Sequence, residues 1–172
     1  MTDARAANLL GALVVTLHDE MQSATADAAE HGAAYPAALA TMLGEPGLSI
    51  ESLRQILGLS HSGTVRLLDA LEEEGTVARR SGKDARSVAL QLTAAGKRQA
   101  RAVLEARRHS LEPALNALTG PELAQLVRLT EKLLGALTRS RQHSDHVCRL
   151  CDLSVCPDAT CPVNCAALAA EA

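Results

Sequence analysis

Five cysteines, all between positions 148 and 165, are the residues of this 172-residue chain whose type and spacing best fit chemistry. Cys148-x2-Cys151-x4-Cys156-x4-Cys161 sets four thiols within fourteen residues, and Cys165 follows as a fifth. Disulfides add little where the compartment keeps thiols reduced, and the chain is expected to be cytoplasmic. Four thiolates so close in sequence suit a metal. Two from a C-x-x-C turn can share one ion, and two later ones complete a tetrahedron. An iron–sulfur cluster, zinc and a metal-free thiol switch all remain open from the spacing. His143 and His146 stand just upstream as alternate ligands, and Cys165 is the spare thiol.

A second constellation is electrostatic. Residues 76–101 hold Arg79, Arg80, Lys83, Arg86, Lys97, Arg98 and Arg101 against one acid, Asp84. That is a local balance of +6, leaving −9 for the rest of a chain whose net charge is −3. A basic island on an acidic body points to a polyanion-facing surface. Lys97 to Arg101 are also explained by a solvated helix face; Arg79 to Arg86 are less so. One Tyr and no Phe or Trp argue against a platform that stacks bases on aromatic rings.

The elements that position these residues follow from periodicity. Leu9, Leu10, Leu13, Val14, Leu17 and Met21 recur at helical steps, which predicts a first helix over 4–30 closed by His31-Gly32. A second helix is expected over 33–43. Ser49 caps a short third helix carrying Leu53, Ile56 and Leu57. After Gly58-Leu59-Ser60, a fourth helix begins, with Val65, Leu68 and Leu71 facing the core and Gly75 ending it. Val88, Leu90 and Leu92 then alternate with Ala89 and Gln91. With 76–80 before them and Ser81-Gly82-Lys83-Asp84 as the turn, they read as a hairpin. Thr93 caps a fifth helix reaching about residue 117, with Pro113 expected to kink it. Thr119-Gly120-Pro121-Glu122 is a capping box for a sixth.

Two short helices joined by a glycine-containing turn and followed by a small hairpin make a winged helix-turn-helix. The fold class is therefore mainly α with a small β-wing. In that arrangement the second short helix enters the major groove and the hairpin lies over the adjoining backbone or minor groove. Burying Val65, Leu68 and Leu71 would turn Ser62, Arg66 and Asp69 outward. Arg66 could fork onto a guanine edge or clamp a phosphate, or it could pair with Asp69 on the same helix. His61 and Ser62 sit where helix N-termini bind phosphate, and Gly63 would let the backbone approach the duplex.

The run Gly58-Leu59-Ser60-His61-Ser62-Gly63-Thr64-Val65-Arg66 through Gly75-Thr76-Val77-Ala78-Arg79-Arg80 resembles the recognition helix and first wing strand of MarR-type regulators. Asp84-Ala85-Arg86 and Leu92-Thr93-Ala94-Ala95-Gly96 are similar to that family's D-x-R wing and the L-T-x-x-G that follows it. The resemblance runs from the second helix to Gly96. It implies a homodimeric DNA-binding regulator, most often a repressor, on a pseudo-palindromic operator, responsive to a ligand or to redox state. It further implies DNA contacts from Ser60, His61, Ser62, Gly63, Thr64, Arg66, Arg79, Arg80, Lys83, Asp84 and Arg86, with Arg86 in the minor groove and Asp84 steadying it. Two departures stand out: only Ser81-Gly82-Lys83 separate Arg80 from Asp84, and Gly63 replaces the family's usual Ser or Thr.

The implied organisation is a dimerisation helix (1–32), a winged helix-turn-helix (33–96), dimerisation helices (97–142) and a cysteine tail (143–172). The tail's spacing is similar to a zinc knuckle with Cys for its His, and Cys156-Pro157 and Cys161-Pro162 are similar to the ends of iron–sulfur loops. Because the tail follows the sixth helix, metal loss or thiol oxidation is expected to change how two subunits pack. Half-sites lie ~34–36 Å apart, so a small change of subunit angle would misalign the second recognition helix.

No catalytic signature is present: no Gly-rich phosphate loop, no G-x-S-x-G and no H-E-x-x-H, so the chain is not expected to be an enzyme. No apolar run approaches the ~18 residues of a membrane span. The longest apolar stretch, residues 9–17, follows Asp3 and Arg5 and ends at His18, Asp19 and Glu20, which is unlike a signal peptide. The rival reading is a metal-handling or thiol-redox protein whose winged helix docks other proteins. A small-molecule effector between the DNA-binding lobe and the dimer helices is a variant of the main one.

Overall fold

Local capping chemistry divides the chain into its helices. In the computed structural model, which describes residues 3–27, 32–81, 88–156 and 159–171, the order is α1 (Ala4–Asp27), α2 (Ala34–Gly44), α3 (Ile50–Leu57), α4 (His61–Glu73), β1 (Val77–Ser81), β2 (Val88–Leu92), α5 (Ala94–Asn116), α6 (Gly120–Leu137), α7 (Arg141–Cys148) and α8 (Pro162–Glu171). Ser49 Oγ accepts the Ser52 N–H at 2.9 Å and Ser60 Oγ the Gly63 N–H at 3.1 Å, each satisfying a donor the helix leaves unpaired. Thr93 Oγ1 does the same for Gly96 at 3.1 Å. At α6 the Glu122 carboxylate accepts from both the N–H and the hydroxyl of Thr119, at 2.8 and 2.7 Å.

Between α3 and α4 the chain turns at Gly58, whose φ of +67° is a left-handed value that favours glycine. The wing is antiparallel, with Val77 opposite Leu92 and Ser81 opposite Val88. Ser81 therefore belongs to β1 rather than to the turn. Ahead of α3, the 47–49 segment extends the sheet: Leu90 N–H donates to Leu48 O at 2.8 Å, and Ser49 bridges to Ala89.

Aliphatic side chains from α2, α3, α4, both strands and α5 form one core: Leu39, Met42, Leu53, Leu57, Leu68, Leu71, Val77, Leu90 and Val103, with Tyr35 among them. Tyr35 donates its hydroxyl proton to Glu74, and burial together with that carboxylate pushes the phenol up to about 12. On α4 the buried stripe is Thr64, Leu68 and Leu71, while Val65 is only half-buried. A purely hydrophobic count misses this because threonine can face inward once its hydroxyl is satisfied, here by Ser60 O at 3.0 Å.

α5 runs through Pro113 to Asn116. α1 packs on α5, and α6 packs on α8. The cysteine tail, 143–172, holds most of α7 and all of α8. Among the described residues, no helix is long and apolar enough to cross a membrane.

Candidate nucleic-acid interface and thiol cluster

With Thr64, Leu68 and Leu71 inside, helical geometry turns Ser62, Arg66 and Asp69 to the outside, and all three are exposed. His61 is also exposed, at the first turn of α4. Ser60 spends its side-chain oxygen on the cap, and Gly63 fits beneath it: a Cβ there would sit 3.1 Å from Ser60 Oγ. Thr64 is expected from sequence to contact DNA, but it is fully buried and its hydroxyl is committed to Ser60 O. Its role lies in the core.

Arg79, exposed on β1, has partners that the sequence reading does not name. Its guanidinium bridges Asp69 Oδ1 and Glu72 Oε2, each at 2.9 Å, and its own N–H donates to Glu72 Oε1 at 3.2 Å. Arg79 thus braces the first wing strand against α4, and Asp69 pairs with it rather than with Arg66. Nothing in the local spacing signals this, because the partners lie ten and seven residues apart across a turn. Arg80, next along β1, is exposed. Lys83, Asp84 and Arg86 lie outside the described residues.

The thiols form the other constellation. Cys148 ends α7, and the Cys151 N–H donates to the Cys148 carbonyl at 2.8 Å, closing a turn that brings the two side chains together. Cys148, Cys151, Cys156 and Cys161 all border one cavity of about 850 Å³ between α6, α7 and the end of α2, with Arg107 of α5 at its wall. A hydrogen bond from Cys148 holds the Cys151 thiol below the usual thiol range, helped by the charges of Arg107 and Arg149 and opposed by burial. The same bond, then burial, push Cys148 up. Burial and the neighbouring thiols raise Cys156.

Cys165 stands apart, exposed, with its Sγ directed to Ala159 O at 3.6 Å. His146 Nδ1 lies 2.8 Å from Ile56 O, and His143 Nδ1 accepts the Arg139 N–H at 3.3 Å, so both alternates serve helix ends and neither lines the thiol cavity. Among the described residues, no three His, Cys, Asp or Glu side chains are gathered closely enough to hold a metal ion as they stand.

A capped helix presenting polar and cationic side chains, preceded by a glycine turn and braced to a two-stranded wing, defines a winged helix-turn-helix protein. Residues 33–87 match the model of the MarR family. The chain is 36% identical over 108 residues to the transcriptional repressor MprA of Escherichia coli, a match covering 61% of each; it therefore spans less than two thirds of that repressor. Its fold superposes on a MarR family protein of Bacillus stearothermophilus with a TM-score of 0.68 at 24% identity, covering 80% of this chain and 99% of the other. It also superposes on the Mycobacterium tuberculosis MarR family protein Rv2887 in complex with DNA, with a TM-score of 0.63 at 26% identity, covering 76% and 98% respectively.

Proposed function

We propose that the chain is a cytoplasmic, homodimeric DNA-binding transcriptional regulator, acting as a repressor, whose cysteine tail is a metal centre that tunes binding. The observation that carries the DNA-binding part is the division of α4: Thr64, Leu68 and Leu71 inside, and Ser62 and Arg66 exposed on the helix that a winged helix-turn-helix inserts into the major groove. The likeness to the repressor MprA and to the DNA-bound Rv2887 supports the same reading.

Dimerisation is supported by apolar surface left in water. Leu9, Leu13 and Val14 of α1 are about half exposed, at 55%, 47% and 58%, and Leu129 and Leu133 of α6 at 51% and 49%. α6 has no buried residue at all among those described. A helix so apolar and so exposed requires a partner surface.

For the metal, the donor set is the argument. Four thiols on one cavity, with the fifth turned away, suit zinc or an iron–sulfur cluster and suit hard oxygen-seeking ions poorly. Cys148, Cys151, Cys156 and Cys161 would hold it. Bound there, zinc would supply a redox-inert staple, and a cluster would supply sensitivity to oxidants.

Fluorescence anisotropy with the duplex upstream of the chain's own coding sequence tests the regulator. Specific binding should exceed random-duplex binding by ~10³-fold or more and weaken steeply with salt. Equal affinity for both duplexes would refute it. Metal analysis and absorption of protein purified without oxygen test the centre: colour with iron and sulfide means a cluster, and a colourless sample with one zinc per chain means a tetrathiolate site.

A further inference from the structure

Sequence order alone places the cysteine tail beside the dimer helices. The fold places part of it elsewhere: α8 packs on α6, but α7 packs on α3, the first helix of the helix-turn-helix. The last carbonyls of any α-helix lack partners within the helix. At the end of α3 the Arg54 and Gln55 carbonyls are taken by the Gly58 and Leu59 N–H groups, and Ile56 O is taken by His146, ninety residues away, at 2.8 Å. Since a carbonyl only accepts, Nδ1 of His146 carries the proton. The ring lies over Gly58, where an added Cβ would meet it at 3.7 Å.

Neighbouring residues fix the segment further. Thr41 Oγ1 of α2 donates to Arg149 O at 3.1 Å. Leu150 packs against the main core, and Leu153 fills the space beside Gly44, where a Cβ would come within 2.6 Å of it. Residues 146–153, which contain Cys148 and Cys151, are thus seated against the ends of both α2 and α3. The Gly58-Leu59-Ser60 turn that His146 touches leads directly into the Ser60 cap of α4.

We propose that this segment is a wedge: the chemical state of the Cys148–Cys151 turn sets the order of the Gly58-Leu59-Ser60 turn and thereby the presentation of α4, with His146 as the positioning residue. The inference rests on the reading of these cysteines as a centre that changes state. Cys148 and His146 share the last turn of α7, so rearranging that turn around its thiols displaces the imidazole from Ile56 O. The coupling runs within one subunit, into the DNA-reading unit itself.

Native-state hydrogen exchange on the full chain tests this at the Gly58 and Leu59 amides, with the β1–β2 amides as internal control. The proteins are wild type, His146→Ala, His146→Asn, the Cys148→Ser/Cys151→Ser pair and the triple variant with His146→Ala. His146→Ala and the cysteine pair should each speed exchange at Gly58 and Leu59 by about three- to tenfold, the scale of one net hydrogen bond. The triple variant should be no faster than either, and His146→Asn, whose amide can still donate, should restore protection. Wild type treated with a chelator gives the same comparison without a substitution.

Unchanged exchange in the cysteine pair, or strictly additive effects in the triple variant, would overturn the wedge. Metal analysis and duplex binding of the wild type report separately on the reading beneath it. If wild type binds neither metal nor DNA, that reading falls, while the exchange pattern still decides whether the thiol turn and the helix-turn-helix are linked.

Discussion

Gly96 offers the sharpest test of how the wing is held to its support. It lies in the first turn of α5, and a Cβ built on it would stand 2.0 Å from Thr76 O and 2.9 Å from Thr76 C. Backbone, unlike a long side chain, cannot swing away. The same Thr76 O accepts the Thr93 N–H at 2.9 Å, and Thr93 Oγ1 donates to Gly75 O at 2.8 Å, so two hydrogen bonds tie the base of β1 to the α5 cap. Gly96→Ala gains ~1 kcal/mol of helix propensity. Against this stand ~1–3 kcal/mol of overpacking and about 1 kcal/mol for each of the two bonds stretched as β1 is pushed off. The net destabilisation is therefore ~2–4 kcal/mol, which lowers the thermal midpoint by roughly 5–15 °C for a chain of this size. Urea unfolding and calorimetry measure it directly. A variant within ~0.5 kcal/mol of wild type, inside the scatter of ordinary surface substitutions, would mean that α5 and β1 do not meet as described, and with it the placement of the wing would fail.

Three other expectations follow from the site. Arg66→Ala should cost ~1–3 kcal/mol of affinity, selectively at one base pair, whereas Arg79→Ala should leave base preference intact and lower stability by ~0.5–1 kcal/mol, a small figure because Arg79 and Glu72 are about one-third exposed and Asp69 more than half; equal losses for Arg66→Ala on specific and random duplexes would demote it to a phosphate contact. Leu129→Glu with Leu133→Glu places charge in the apolar stripe of α6, and a penalty of ~3 kcal/mol or more raises the dimer dissociation constant by about a hundredfold, read by sedimentation equilibrium. Replacing Cys165 with Ser should leave metal per chain unchanged, while Cys151→Ser should abolish it; loss of metal in the Cys165 variant would show that the ligand set has been misassigned.

Most of the winged helix-turn-helix is legible in the sequence because its determinants are local. Ser49, Gly58, Ser60, Thr93 and the Thr119–Glu122 box mark helix ends through bonds spanning three or four residues, and these are the bonds that form. The alternation of Val88, Leu90 and Leu92 is likewise local, and those residues form β2. Local reasoning fails where the deciding partner is remote or mixed in character. Thr64 occupies a core position because its hydroxyl is satisfied one turn back, which a hydrophobic count cannot see. Arg79 looks like one more cation of a basic island until Asp69 and Glu72 come round the turn to meet it.

The same contrast decides how the tail should be understood. Spacing alone marks Cys148, Cys151, Cys156 and Cys161 as a ligand set, and the fold brings all four to the border of one cavity. Spacing says nothing about what the set rests on. A tail beyond the last long helix would naturally act by altering the angle between subunits, a lever that needs the dimer to work. His146 on Ile56 O, Thr41 on Arg149 O and Leu153 beside Gly44 instead anchor the thiol turn to the lobe that carries α4. These contacts lie within one chain, so whatever the thiols do should be felt at the Gly58 turn even in a monomer. The α6 variants that dissociate the dimer therefore separate the two mechanisms: the exchange response at Gly58 and Leu59 survives dissociation if the wedge operates, and vanishes with the dimer if subunit angle is the lever.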